Sequence, residues 1–132
     1  MPEGSLDVVD RWIDALEQGD PAPELCAEEI VISNSAGFPI NGDYSGRDGV
    51  AAWWNDLAEA FEGDLHFELI EKHRLDEERV LTTQRLKGTF RLTGIDFDIA
   101  WGAIITARDG QIVRADGYDT PRLAKRAAGI ED

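Results

Sequence analysis

Apolar positions recur along the chain in two rhythms, and the change from one to the other separates a helical first half from a strand-rich second half. Leu6, Val9, Ile13 and Leu16 stand three or four residues apart, the spacing of one helix face, so residues 5–18 read as an amphipathic helix. Ser5 supplies an N-cap, and Gly19-Asp20-Pro21 stops the helix. A short second helix is expected over 22–28, then a first strand from Glu29 to Asn34. Residues 35–46, rich in Gly, Pro, Asn and Ser, read as a long loop of the kind that often carries function. A helix over 48–62 follows, capped by Asp48, with Val50, Trp54, Leu57 and Phe61 as its buried stripe.

From Asp64 onward the apolar residues alternate, which is the period of a half-buried strand. Leu65 to Leu75 turns at Asp76 to Arg79 and returns as Val80 to Leu92; Thr93-Gly94 turns into Ile95 to Ala107; Asp109-Gly110 turns into Gln111 to Tyr118. A last helix runs from Thr120 to Ala128, with Pro121 in its first turn and Gly129 at its end. Folding the hairpins at these turns predicts a register. Phe90 faces Phe97, Gly88 faces Ile99 and Leu86 faces Trp101, with Leu65, Phe67 and Leu69 joining the same apolar face. The last turn adds Ile112, Arg114, Asp116 and Tyr118 opposite Ala103 and Ile105. The other face carries Arg91 opposite Asp96, with Thr89, Asp98, Arg85 and Lys87, and reads as solvated or as an interface.

Five polar residues interrupt the apolar face on this register: Glu71, His73, Gln84, Arg114 and Asp116. A carboxylate facing an apolar cavity is costly unless paired or functional, and burial would raise its pKa into the range useful for proton transfer. Asp116 is therefore the leading candidate for chemistry, and a structural ion pair with Arg114 is the competing reading. Glu71 and His73 read as rim residues, and His66 falls on the charged face.

Composition narrows the function classes. The chain has 132 residues, the size of one domain spanning 1–132, and four tryptophans, generous for that length. A net charge of −14 repels phosphate backbones and anionic bilayers, so neither nucleic acid nor membrane is an expected partner. The single cysteine, Cys26, reads as apolar filler, and one cysteine with two histidines gives little for a metal. No metal or cofactor is expected. No apolar run approaches the ~20 residues of a membrane span, and the first residues lack a signal-peptide pattern, so a cytoplasmic location is expected.

The order of elements, and the segments Val31-Ile32-Ser33-Asn34, Tyr44 to Val50 and Asp109 to Asp119, resemble the SnoaL-like domains of the nuclear transport factor 2-like superfamily. The resemblance implies an α+β fold of cystatin-like architecture, a cone-shaped curved antiparallel sheet packed on N-terminal helices, often homodimeric through the sheet. Within that superfamily the ketosteroid isomerase pattern finds only Trp12, Asn34 and Gly102 or Ala103 at its functional positions, and so lacks its base and its oxyanion donors. The limonene epoxide hydrolase pattern matches better: Asn34 stands for its asparagine, Arg85 for its arginine and Asp116 for its water-activating aspartate, while Ile32 and Lys87 replace its tyrosine and second aspartate.

Two functions stay open at this point. In one, a small apolar molecule, polyketide- or terpenoid-like, binds in an internal pocket and undergoes acid–base isomerisation, cyclisation or hydration. Asp116, Asn34 and Arg85 would be the catalytic set, and Trp12, Phe38, Trp54, Phe97, Trp101 and Tyr118 the walls. In the other, the domain binds a small molecule or dimerises without chemistry.

Overall fold

The computed structural model describes residues 7–34 and 42–130, without the side chains of residues 61–65 and 97. Ser5, Leu6, Phe38, the side chains of Leu65 and Phe97, and most of the expected long loop lie outside the described residues. Helix α1, Asp7–Glu17, buries Val8, Val9, Trp12, Ile13 and Leu16, and places Asp7 and Asp10 in its first turn, where the helix dipole favours negative charge. Gly19, at φ 85°, takes the left-handed conformation that ends such a helix. The Trp12 indole N–H then donates to the Pro21 carbonyl at 2.8 Å and ties the following chain back onto the helix.

The second helix expected over 22–28 is only a 3-10 turn, Pro23–Leu25, and Cys26 already belongs to strand β1, Cys26–Asn34. Cys26 pairs with Ile112 in the sheet, and the ladder outcompetes a single helical turn. Strand β2, Gly42–Ser45, falls inside the expected loop and pairs antiparallel with β1. Helix α2, Gly46–Ala60, starts and ends two residues earlier than expected, and its buried stripe is Val50, Trp53 and Leu57. Trp53 and Trp54 straddle that stripe on a helical wheel, so spacing alone does not choose between them.

Strands β3, Phe61–Arg74, β4, Arg79–Phe90, β5, Asp96–Arg108, and β6, Gln111–Tyr118, complete a curved, unclosed six-stranded sheet in the order β2-β1-β6-β5-β4-β3. Helix α3, Pro121–Ala128, follows, its Thr120 cap accepting from the Leu123 N–H and its end marked by Gly129 at φ 79°. The sheet is antiparallel except between β1 and β6, which run parallel. No hairpin links those two strands, so nothing local fixes their direction.

Three details of register differ from the sequence expectation. The β4–β5 connection is a four-residue loop, Arg91 to Gly94, with Phe90 paired to Ile95 by a 2.9 Å backbone bond and Gly94 at φ 71°. Leu86 therefore faces Ile99, Gln84 faces Trp101 and Gly88 faces Phe97, two residues from the expected partners. Arg91 lies in the loop instead of opposite Asp96, and its Nε donates to the Glu59 carbonyl at 3.1 Å. A shift of two keeps every side chain on its expected face.

The other two details are irregularities in strand pairing, and each reverses faces. Between Leu69 and Glu71 the pairing of β3 with β4 slips, so that Glu71 stands beside Thr83 and His73 beside Leu81. Between Thr106 and Ala107 the pairing of β5 with β6 slips at Val113, so that Ala115 stands beside Ile105 and Asp116 beside Ile104. An extra residue on one strand turns all that follow it to the opposite side.

Helices α1 and α2 and the concave face of the sheet enclose the main core, in which Phe67, Leu86, Trp101, Ala103, Ile105, Ile112 and Ala115 meet Val9, Trp12, Ile13, Trp53 and Leu57. Helix α3 docks on the opposite face. There Ala124 packs with Leu81 and Ile104, flanked by Leu75, Tyr118 and Ala128. Gly102 makes that docking possible, because a Cβ on it would stand 2.5 Å from the Ala124 Cβ.

Candidate functional site

On the concave face a recess lies between the sheet and the helices. It is lined by Trp12 and Leu16 of α1, Trp53 of α2, Ile32 and Asn34 of β1, Gln84 of β4, Trp101, Ala103 and Ile105 of β5, and Ala115 and Gly117 of β6. Its atom-free volume is about 350 Å³ including the open mouth. The tryptophans fill much of the enclosed part. Trp12 and Trp53 stand 6.3 Å apart between ring centroids, Trp53 lies 6.4 Å from Phe67, and Phe67 meets Trp101 edge-on at 5.9 Å. Such tilted and edge-to-face pairs are the favoured aromatic geometries, and they stiffen the wall.

The polar groups of this lining are neutral. Gln84 is 3% exposed and donates from Nε2 to the Thr82 hydroxyl at 2.9 Å, which fixes the amide in the wall. Its position on the apolar face is as the sequence predicts. Asn34 closes β1 beside Gly117, where its Oδ1 would lie 3.3 Å from any added Cβ. Gly117 thus leaves the asparagine amide room to sit against the sheet. Among the described residues, the lining holds no carboxylate, imidazole, amine or guanidinium.

Asp116 is on the other face. It lies beside Ser33 of β1 and Ile104 of β5, and both of its oxygens accept from Arg114 Nε at 3.0 Å. The slip at Val113 is the physical reason, since it turns Arg114, Asp116 and Tyr118 outward together. The carboxylate beside Arg114 holds that guanidinium's pKa above its ordinary value, first through the hydrogen bond and then through charge. Tyr118 is raised as well, mainly by burial and secondly by Asp116.

Arg85 also faces outward and pairs with Asp98 at 3.1 Å. Glu71 contacts Lys125 of α3 at 3.6 Å and His73 at 3.6 Å, away from the recess. Of the expected catalytic set, then, only Asn34 lines the recess, and Asp116 and Arg85 do not approach it. Of the expected walls, Trp12 and Trp101 line it; Trp54 instead stacks on Phe67 at 5.4 Å, and Tyr118 packs toward α3. The residue that the sequence pattern passes over is Trp53, which lines the recess in place of Trp54.

Cys26 is fully buried, and burial pushes its thiol up to about 12, so it remains a protonated filler, at the head of a strand. Among the described residues, no group of three histidine, cysteine or acidic side chains is placed to hold a metal, and no helix is long and apolar enough to cross a membrane.

A curved open sheet wrapped on two helices is an α+β fold that known structures share. A nuclear transport factor 2-like protein from Burkholderia thailandensis superposes with a TM-score of 0.81 at 25% identity, covering 97% of this chain and 98% of that one. TerC co-crystallised with polyporic acid superposes with a TM-score of 0.74 at 12% identity, over 95% and 98% of the two chains. A protein named as a candidate polyketide cyclase from Sinorhizobium meliloti gives 0.68 at 20% identity, over 89% and 94%. The sequence profile of the SnoaL-like domain matches residues 9–115, and the chain belongs to that family. None of the curated proteins matches it in sequence.

Proposed function

We propose that this domain binds a small, uncharged, largely apolar molecule in the tryptophan-lined recess and contributes no acid or base of its own to that molecule's chemistry. The observation that carries the reading is the lining itself: three indoles, two amides and aliphatic side chains, with no ionisable group among the described residues. Moving a charged guest into such a wall without a partner costs several kcal/mol, so the recess selects against ions. Flat apolar surfaces find complementary area on the three tryptophans, and the amides of Gln84 and Asn34 orient a polar substituent. A polyketide- or terpenoid-like molecule has this chemistry. The co-crystal of TerC with polyporic acid concerns another protein of the same fold, and it supports the expectation that a domain of this fold binds small molecules.

The acid–base alternative requires Asp116, and the orientation of β6 weighs against it. Homodimerisation belongs to the same reading. On the outer face of β4 and β5, Arg85, Lys87 and Asp98 are exposed, with the two cations of β4 beside the carboxylate of β5. Native mass spectrometry of freshly purified protein tests the binding function. A neutral adduct released on denaturation is the expected result. Unliganded protein whose tryptophan fluorescence no small aromatic compound alters at millimolar concentration would contradict it.

A further inference from the structure

Trp53 is 3% exposed and lines the recess, yet its indole Nε1–H meets no acceptor among the described residues. Trp12 in the same wall shows the usual arrangement, its N–H satisfied by the Pro21 carbonyl at 2.8 Å. A buried donor with no partner costs free energy that a correctly placed acceptor returns. A water bridging the indole to the Gln84 or Asn34 amide of the same lining is displaced by a guest whose own oxygen takes over the bond to the N–H.

We infer that the guest is a neutral aromatic or alicyclic molecule bearing a carbonyl-type oxygen, and that Trp53 Nε1–H is the donor that recognises this oxygen. The inference rests on the binding function proposed above and specifies the chemistry of its ligand. A carbonyl suits the site for three reasons. It is a strong acceptor without a proton to place, it carries no charge into an uncharged wall, and its planar conjugated neighbours lie flat against indole rings. A carboxylate would also accept the bond, but its charge would be buried without a cation, since no basic side chain among the described residues lines the recess. Trp53 sits on a helix and is packed between Trp12, Trp54 and Phe67 at centroid distances of 6.3, 5.8 and 6.4 Å. That packing fixes the donor in place before the guest arrives, which lowers the ordering cost of binding.

Acetophenone and cumene share a shape and differ in the carbonyl, so the pair isolates the hydrogen bond. Binding of each is measured by calorimetry or ligand-observed NMR to the wild-type chain and to Trp53→Phe, which keeps an aromatic ring and removes the N–H. The expected result is that the substitution weakens acetophenone roughly five- to tenfold relative to cumene, the effect of one hydrogen bond to a buried donor. Equal weakening of both, or no weakening of either, overturns the inference and leaves the binding function standing. Failure of both compounds to bind the wild-type chain removes the binding function, and the inference with it. A second readout is taken on the wild-type chain, with the variant used only to assign the peak. Of the four tryptophan indole N–H cross-peaks in a ¹H–¹⁵N spectrum, the one absent from Trp53→Phe shifts downfield with acetophenone and not with cumene. The same response to both compounds counts against the inference.

Discussion

Gly102→Ala tests the docking of α3 most sharply, because the perturbation is a single methyl group and its neighbour is known. The new Cβ would stand 2.5 Å from the Ala124 Cβ and 3.4 Å from the Pro121 Cα, with the Thr82 carbonyl oxygen at 3.5 Å. Carbon atoms at van der Waals contact sit near 3.5–4.0 Å, so one ångström or more must be recovered by moving the helix. Overpacking of this kind costs about 1–3 kcal/mol. Replacing a strand glycine by alanine returns about 0.5–1 kcal/mol of backbone entropy, because Gly102 has an ordinary negative φ that alanine adopts freely. The net expectation is a loss of about 0.5–2 kcal/mol, or a Tm lower by roughly 2–8 °C in a domain of this size.

Thermal and urea unfolding followed by circular dichroism measure it. Ala124→Gly in the same chain restores the space and should recover stability beyond additivity, even though a helix glycine by itself costs about 1 kcal/mol. If Gly102→Ala raised the Tm, or if the two substitutions were additive, α3 would not be docked over Gly102 in solution.

Four further outcomes follow from the same geometry. Asp116→Asn should leave affinity for acetophenone or any other recess ligand unchanged, and should cost at most about 1 kcal/mol of stability, since the Arg114 pair it breaks is half-exposed; a severalfold change in affinity would contradict the outward placement. Cys26 should resist a thiol reagent at pH 8 in the native chain and react at once in denaturant, because burial holds its pKa near 12; prompt native labelling would show β1 opening at its start. Phe67→Ala should cost about 3–5 kcal/mol by emptying the space between Trp53, Trp54 and Trp101, measured by urea denaturation; a loss under 1 kcal/mol would mean that the aromatic cluster collapses freely.

The fourth concerns acid. Glu78 is held below its ordinary 4.5, first by the Arg108 hydrogen bond, and Asp76 below 3.8, first by the Glu78 N–H. Carboxylates lowered in the folded state stabilise it above their unfolded pKa, and that stability is lost as pH falls from about 4.5 through the lowered native values. Arg108→Gln should therefore flatten the stability profile between about pH 5 and 3, modestly because the groups are exposed; an unchanged slope would discount the pair.

Most of the architecture is legible in the residues. The heptad-like spacing of Val9, Ile13 and Leu16 and the alternation around Phe67, Leu86 and Trp101 give helices, strands and their apolar faces, because burial is periodic and the period is visible. The β4–β5 loop is two residues longer than the sequence suggests, and a shift of two residues preserves the face. The slips at Leu69/Glu71 and at Val113 are different in kind. Each inserts a single residue, Ile70 in β3 or Val113 in β6, and inverts the assignments beyond it.

The slip at Val113 turns Asp116 off the apolar face on which simple alternation puts it. Its true neighbour Ala115 is small and easily overlooked as a lining residue. Spacing does not single out Trp53, because adjacent helix positions differ by about 100° around the axis, and both Trp53 and Trp54 lie near the edge of the stripe. Gln84 lies on β4, whose face follows from simple alternation, while Asn34 lines the recess beyond the register shift between Cys26 and Val31.

Whether the recess is uncharged depends on which side of β6 faces inward, and cysteine accessibility reads that directly. With Cys26 silent at 0% exposure, Ala115→Cys and Asp116→Cys can be labelled one at a time with a water-soluble maleimide in the native chain. The account predicts that the thiol at 116 reacts roughly tenfold or more faster than the thiol at 115, because residue 115 is only 7% exposed and stands behind the tryptophans of the recess. The reverse order would put the carboxylate back inside and return acid–base chemistry to the recess.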